Sequence, residues 1–366
     1  MRRLRITIDA VSALVRSAGV KNYTWHWLNS LRRAARQGEE IRAFPLLGDL
    51  DGRTILDHER SVRGIGGTWL RLGVLHGVNL LGPAALDLAI AGSDIFHASN
   101  QVHYPPRRAR LTATIHDLTA LLMPELHTPG NIAADRRFSE AILPRAAGLI
   151  AVSENTRQDA IRLLRLPPER ITTIYSGVAP EYFHAPAACR DRPYALYVGT
   201  IEPRKNLNTL LDAWALLSPG LRGEFDLVIA GPVGWASDKT VDRIRAETTY
   251  LGYVPEAELP SLTAGAAAFV FPSLYEGFGF PVVQAMAAGA PVITSNTSCL
   301  PEIAGDAALL VDPRSAAEIA SALARVLGSE SLRADLTARG RVRAQLYRWE
   351  ACAEQSLAFF QRVAGS

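Results

Sequence analysis

The stretch that decides the fold is Phe271-Pro272-Ser273-Leu274-Tyr275-Glu276-Gly277-Phe278-Gly279-Phe280-Pro281-Val282-Val283-Gln284-Ala285-Met286-Ala287-Ala288-Gly289-Ala290-Pro291-Val292-Ile293-Thr294. An apolar, strand-like run from Ala267 to Phe271 ends in a turn that holds Glu276, Gly277 and Gly279. Pro281 then stands where a helix begins, and Gly289 with Pro291 stops that helix before a second apolar run. The unit is strand, loop, helix, strand. Such a loop lifts one carboxylate and several backbone N–H groups to the carboxyl end of a strand beside a helix N-terminus, where an anion or a ring of hydroxyls can be held. Gln284 falls on the first turns of the helix, while Val283, Met286 and Ala287 keep the spacing of a buried face.

At 366 residues the chain exceeds one ordinary core and fits two domains. A 48% hydrophobic and 20% charged composition excludes disordered and fibrous classes. The cysteines Cys189, Cys299 and Cys352 are far apart and form no CxxC, which fits free thiols in a reducing compartment better than disulfides or zinc. The charged start Met1-Arg2-Arg3 leads straight into a short strand and does not read as a signal peptide, and the uncharged stretch Leu72 to Leu86 is broken by glycines and too short to span a bilayer. A soluble or membrane-peripheral cytoplasmic protein is expected.

Upstream, Leu4 to Asp9 reads as a strand, followed by a loop with Gly19 and a helix from about Val20 to Arg36; Gly19 is a candidate for close backbone approach to a phosphate. The segment Gly64 to Leu86 mixes Trp69, Leu70, Leu72, Leu75, Leu80 and Leu81 with glycines, and reads either as a core helix hairpin or as a membrane-touching patch. Strands at Asp94 to Ala98, Thr112 to His116, Gly148 to Val152 and Ile171 to Ile174 alternate with helices at Ile132 to Pro144 and Thr156 to Leu164, which implies a mostly parallel sheet covered on both faces. His116 falls at the carboxyl edge of that sheet.

Downstream, Ala179 to Pro193 carries three prolines and reads as a linker. A second domain opens with strand Tyr194 to Val198 and the sequence Gly199-Thr200-Ile201-Glu202-Pro203-Arg204-Lys205-Asn206 before a helix. Arg204 and Lys205 therefore sit between a strand end and a helix start, from which cations reach a pyrophosphate. Lysine is scarce, occurring only at positions 21, 205 and 239 among 39 basic residues, so its presence here is a signal for a compact point charge.

Four groups of residues together resemble the retaining family-4 glycosyltransferases of GT-B fold: the Glu276 loop, Phe96-His97-Ala98-Ser99-Asn100, Thr114-Ile115-His116-Asp117, and Ala151-Val152-Ser153-Glu154-Asn155-Thr156. Tyr175-Ser176-Gly177-Val178 resembles the family's boundary turn. The resemblance implies an α/β chain of two Rossmann-like domains facing across a cleft, 1–185 on the acceptor side and 186–348 for the nucleotide-sugar, with residues 349–366 returning to the first domain. It implies transfer of a hexose, with retention, from a nucleotide-diphosphate sugar to a glycan or lipid-linked acceptor in cell-surface polysaccharide synthesis. The implied roles are sugar contact for Glu276 and His116, leaving-group stabilisation for Arg204 and Lys205, donor contact for Gly277, Phe278, Gly279 and Phe280, base contact for Val254, and ribose contact at Gln284. Two positions depart from the pattern: Gln284 stands where the family has a second Glu, and Thr200 where it has an Arg that Arg204 replaces. No metal or other cofactor is expected. A GT-B epimerase or sugar-phosphate-using enzyme, and a non-catalytic binding protein of the same fold, are the alternatives.

Net charge is +3, unevenly placed: residues 1–185 carry 23 Lys and Arg against 17 Asp and Glu, and the remainder 16 against 19, giving +6 and −3. The basic half suits an anionic membrane surface or a phosphate-bearing acceptor. Nucleic acid is not indicated, because the arginines are not interleaved with aromatic residues.

Overall fold

A computed structural model of the chain describes residues 3–15, 19–35, 38–48, 60–235 and 237–365. The start Met1-Arg2 and the expected helix end at Arg36 lie outside the described residues. The chain divides into two units, one of Met1–Gly177 with Trp349–Ser366 and one of Val178–Arg348.

In the first unit, six parallel strands β1 (Leu4–Asp9), β2 (Glu39–Phe44), β3 (Ile95–Ala98), β4 (Arg110–Ile115), β5 (Gly148–Ala151) and β6 (Ile171–Thr173) lie in the order β2-β1-β3-β4-β5-β6. Their direction of progression reverses between β1 and β3, where a crevice opens at the carboxyl ends of the strands in folds of this kind. Strand β2 was not expected from the sequence. Its residues Glu-Glu-Ile-Arg-Ala-Phe hide the apolar signal, and among the described residues it is an edge strand paired only with β1, where charged side chains discourage further pairing. The helix expected at Ile132 to Pro144 starts earlier, at Pro129 behind a Thr128 cap whose Oγ1 accepts from Asn131 N at 3.3 Å, and passes after Arg137 into a π-turn, Phe138–Ile142.

The Gly64 to Leu86 segment forms two helices, Ile65–Leu81 and Pro83–Ala89, joined at Gly82, whose φ of 83° suits glycine. One side enters the core through Val78 and Leu86, with Leu72, Val74 and Leu75 partly buried against it. The other side leaves Ile65, Trp69, Leu70, Leu80, Leu81 and Leu88 exposed. The hairpin is thus half core and half surface.

The last helix, Trp349–Gly365, lies against the helix Gly19–Ala34. Trp27 Nε1 donates to Ser356 Oγ at 2.9 Å, which donates in turn to Cys352 O at 2.7 Å, so two helices distant in sequence share one buried polar chain. Gly177 is packed on the start of that helix: a Cβ there would lie 2.3 Å from Trp349 N.

The second unit repeats the plan. Strands β7 (Tyr194–Val198), β8 (Asp226–Ala230), β9 (Thr249–Gly252), β10 (Ala268–Phe271), β11 (Val292–Ser295) and β12 (Ala308–Val311) are all parallel in the order β12-β11-β10-β7-β8-β9. The reversal here lies between β7 and β10. Residues read as a linker belong to this unit: Ala179 and Tyr182 are buried, a short helix spans Pro180–Phe183, and Ala188 N donates to Ser261 O at 3.0 Å. The sequence puts the boundary at residue 185, and the two units meet at Gly177 and Val178.

Because backbone rather than a flexible side-chain tip blocks the space at Gly177, Gly177→Ala is expected to destabilise the fold by about 1–3 kcal/mol. Urea unfolding checks this, and an unchanged midpoint would mean that Trp349 yields freely.

Candidate active site

Strands β7 and β10 are neighbours, so the loops that follow them converge although their residues stand 71 positions apart. Glu276, on the loop after β10, is buried at 7% exposure. Its Oε1 accepts from Lys205 Nζ at 2.7 Å and from Ser273 Oγ at 2.6 Å, and its Oε2 lies 3.1 Å from Arg204 Nη1. Arg204 also donates to Tyr275 O at 2.6 Å and pairs with Glu202 Oε1 at 2.7 Å. Two carboxylates and two cations thus form one buried chain, Glu202–Arg204–Glu276–Lys205, with Lys205 Nζ 5.2 Å from the centre of the Phe271 ring. Burial pushes the Glu276 carboxyl up, but the charges of Arg204 and Lys205 and the hydrogen bonds from Lys205 and Ser273 outweigh it and hold the group at about 2. Glu276 is therefore an anion at neutral pH.

The rest of the loop is held rigidly. Glu276 N donates to Ser298 Oγ at 3.1 Å; Phe278 is buried, 5.1 Å from the Phe280 ring and 5.7 Å from Tyr347; Gly279 has φ of 85°, and a Cβ there would meet Leu300 at 2.8 Å. Gly277 is buried, Phe280 is half-buried, and Phe280 opens the helix Phe280–Ala288. Gln284 lies on that helix at 9% exposure. Val254, half-buried, follows the edge strand β9 and stands apart from the Glu276 loop by two strands of the sheet, β8 and β7.

In the first unit His116 directly follows β4, half-buried, with its ring 4.7 Å from Tyr23 in an edge-to-face contact. Burial lowers it to about 4, against the opposing pull of Asp117, so it is a neutral imidazole at pH 7. Tyr23 also packs edge-on against Trp349, and His26 stacks on the same indole at 5.6 Å. Gly19 is the first residue of the helix Gly19–Ala34, and a Cβ there would meet none of the described residues within 4 Å. Space rather than backbone strain distinguishes that position.

No group of three or more His, Cys, Asp or Glu suited to a metal occurs among the described residues. An Asp-x-Asp spacing does occur at Asp49-Leu50-Asp51, outside the described residues.

Residues 179–343 match the family model described as glycosyl transferases group 1, and residues 19–182 match glycosyltransferase family 4. The chain is 37% identical over 278 residues to O-antigen chain mannosyltransferase B of Escherichia coli, covering 72% of this chain and 73% of that protein. It belongs to the group 1 glycosyltransferase family. A second Escherichia coli relative, the serotype-specific mannosyltransferase WbdA, is 27% identical over 79% of this chain, which spans 39% of WbdA's length. Among solved structures, sucrose-phosphate synthase from Thermosynechococcus elongatus superposes with a TM-score of 0.75 at 22% identity, covering 100% of both chains. Anabaena HepE, solved with UDP and glucose, gives 0.70 at 16% identity over 98% of this chain and 100% of its own. The fold of this glycosyltransferase is GT-B.

Several residues of the glycosyltransferase's site carry no signal in isolation. Glu202 and Ser273 each lie within three residues of a recognised position and complete its charge network, while Ser298 comes from a loop beyond β11. At the β1–β3 reversal Asp9 is buried, accepting from Ser99 Oγ at 2.5 Å, Ser99 N at 3.3 Å and Val11 N at 3.1 Å, and burial raises it to about 6 despite those bonds. His97 is buried with its ring nitrogens 2.9 Å from Thr112 Oγ1 and from Thr114 Oγ1, and burial, aided by His116, lowers it to about 3.

These shifts set an acid-sensitivity. His97 and His116 would take up protons near pH 6.5 when unfolded but only near 3 and 4 when folded, so the unfolded chain binds more protons between those values and stability falls as pH drops below 6.5. Asp9 works against this between about 3.8 and 6, since its folded form holds the proton more tightly. Glu276 adds a loss of stability between 4.5 and about 2. Urea midpoints from pH 7.5 to 5 should decline, and His97→Gln should flatten that slope; a slope unchanged in the variant would remove His97 from the account.

Proposed function

We propose that this glycosyltransferase moves a mannosyl group, with retention, from a nucleotide-diphosphate sugar to a glycan or lipid-linked acceptor in assembling a cell-surface polysaccharide, working at the cytoplasmic face of a membrane. The observation that carries the reading is the cluster of Glu276, Lys205 and Arg204 at the β7–β10 reversal, beside the N-terminus of the helix Phe280–Ala288. An ionised carboxylate accepts hydrogen bonds from sugar hydroxyls. Lys205 is the cation for the departing pyrophosphate, which gains negative charge as the glycosidic bond breaks. Arg204, tied to Glu202, Glu276 and Tyr275 O, acts first by holding the Glu276 loop in position. Neutral His116 can exchange hydrogen bonds with a sugar without bringing charge. Mannose is chosen because O-antigen chain mannosyltransferase B and WbdA are named for it. No metal is assigned a part in the reaction.

The reading is tested by thermal-shift assays with GDP-mannose, UDP-mannose and UDP-glucose, where a ligand at about 100 times its Kd stabilises by roughly 2.7 kcal/mol, followed by NMR of the glycoside formed. An inverted product would overturn retention, and free nucleotide with an altered sugar would make the protein an epimerase. Lys205→Ala should cost on the order of 3 kcal/mol in the barrier at saturating donor, and turnover should survive EDTA. A near-normal rate in the variant, or activity lost to EDTA and restored by Mg2+, would sink the leaving-group assignment.

Gln284, the neutral counterpart of the family's second carboxylate, accepts ribose hydroxyls more weakly than a carboxylate would. Gln284→Glu is expected to tighten nucleotide binding by about 0.5–1.5 kcal/mol, with little effect on an analogue lacking both ribose hydroxyls. Calorimetry showing much weaker binding of the intact nucleotide would withdraw the ribose role from this position.

A further inference from the structure

The helix hairpin of the first unit carries an apolar surface that neither the core nor the donor chemistry uses. Along Ile65–Leu81, residues 65, 69, 76 and 80 fall on one stripe at helical spacing, and Ile65, Trp69 and Leu80 on it are 81%, 70% and 73% exposed. Leu70 and Leu81 lie roughly a third of a turn round the helix from the stripe, and Leu88 on the helix Pro83–Ala89 is 80% exposed. Isolated exposed leucines are ordinary, but six large apolar side chains on one short hairpin mark an interaction surface.

Its surroundings are basic. Between residues 61 and 110 there are five arginines and two aspartates, a balance of +3, and there is no acidic residue from 61 to 86. Asp87 accepts the backbone N–H groups of Arg107 and Arg108 at 3.0 and 3.4 Å, which brings these two exposed arginines alongside Leu88. The first helix is tied to the same loop near the Gly82 joint: Asn79 Oδ1 accepts from His103 N at 2.9 Å, and Asn79 Nδ2 donates to Gln101 O at 2.9 Å. That loop also presents the exposed Tyr104, and His103 Nε2 meets Arg137 at 2.6 Å.

We propose that this hairpin is a membrane-docking element, its Ile65–Trp69–Leu80 stripe lying in the interface of an anionic bilayer while Arg107 and Arg108 bind lipid phosphates. The chemistry matches on three counts: an acid-free apolar stripe, a tryptophan and a tyrosine of the kind that settle at headgroup level, and cations at the rim. No described helix is long and apolar enough to cross a membrane, so the element lies on the surface of the bilayer. The inference deepens the proposed function, since it rests on an acceptor held at a membrane, and it adds the surface that meets the lipid.

The test is cosedimentation of the full chain with phosphatidylcholine vesicles, with and without phosphatidylglycerol, at low and high salt. The wild type should bind the phosphatidylglycerol vesicles, and more weakly as salt rises. Arg107→Glu with Arg108→Glu should weaken low-salt binding by about thirtyfold, and Trp69→Glu with Leu80→Glu should weaken it at least as much at either salt. Gel filtration and thermal melting report on folding, and stabilisation by GDP-mannose or UDP-mannose should be the same in both variants as in the wild type. Absence of wild-type binding at low salt, or undiminished binding by the Trp69/Leu80 variant, overturns the proposal while leaving the transferase reading intact. A wild-type dimer that becomes monomeric in that variant, without vesicle binding, also overturns it and assigns the face to a second copy of the chain. Vesicle binding without stabilisation by either nucleotide-mannose would instead count against the donor reading alone.

Discussion

A carboxylate that is almost entirely removed from water and still ionised needs cations within hydrogen-bonding distance, and Glu276 has two, Lys205 at 2.7 Å and Arg204 at 3.1 Å. The requirement runs outward from there. Arg204 is held by Glu202 and by Tyr275 O, Ser273 adds a hydrogen bond to Glu276, and Phe271 lies beneath Lys205. Removing any one partner leaves an uncompensated buried charge, so the loop after β7 and the loop after β10 hold each other in place. The network is built to keep charges rather than to minimise energy, since apolar residues of equal volume pack at lower desolvation cost. Its position at the carboxyl edge of a parallel sheet makes it the candidate site.

Both units use the same topological device. A parallel sheet whose order reverses leaves two adjacent strand ends with their loops turning to opposite faces, and polar groups collect in the opening. In the second unit the opening holds four charged side chains; in the first it holds Asp9 with Ser99, a carboxyl that burial pushes up to about 6 despite its hydrogen bonds. His116, neutral through burial alone, follows the strand next to that opening.

The helix hairpin Ile65–Leu81 and Pro83–Ala89 has the opposite physical character. Its inner side is fastened through Val78 and Leu86, and its outer side spreads indole and leucine into solvent with arginines at the margin. Unlike the Glu276 network, it specifies no single geometry for a partner. Such a surface fits a fluid apolar boundary better than a shaped pocket.

The fold class was legible in the sequence because the alternation of short apolar runs with helical spacing, punctuated by Gly and Pro, is a local property of a doubly wound chain. The placement of the Glu276 loop, Arg204-Lys205 and His116 after strand ends was legible because each follows an apolar strand-like run, and in such folds the loops at strand ends are where ligands bind. Strand β2 was not, since an edge strand bearing Glu39, Glu40 and Arg42 obeys solubility rather than core periodicity. The alternatives at Gly64 to Leu86 could not be separated either, because helical spacing reveals that apolar residues are present but not which of them find neighbours. Two further matters were decided by tertiary structure alone. One is that Arg204 is committed to Glu202, Glu276 and Tyr275 O: sequence adjacency made Arg204 and Lys205 look equivalent, and only the pairing of β7 with β10 assigns each its partners. The other is the protonation of Asp9, His97 and His116, because a pKa depends on what surrounds a group in space, and those surroundings exist only once strands and helices far apart in the chain have closed around it.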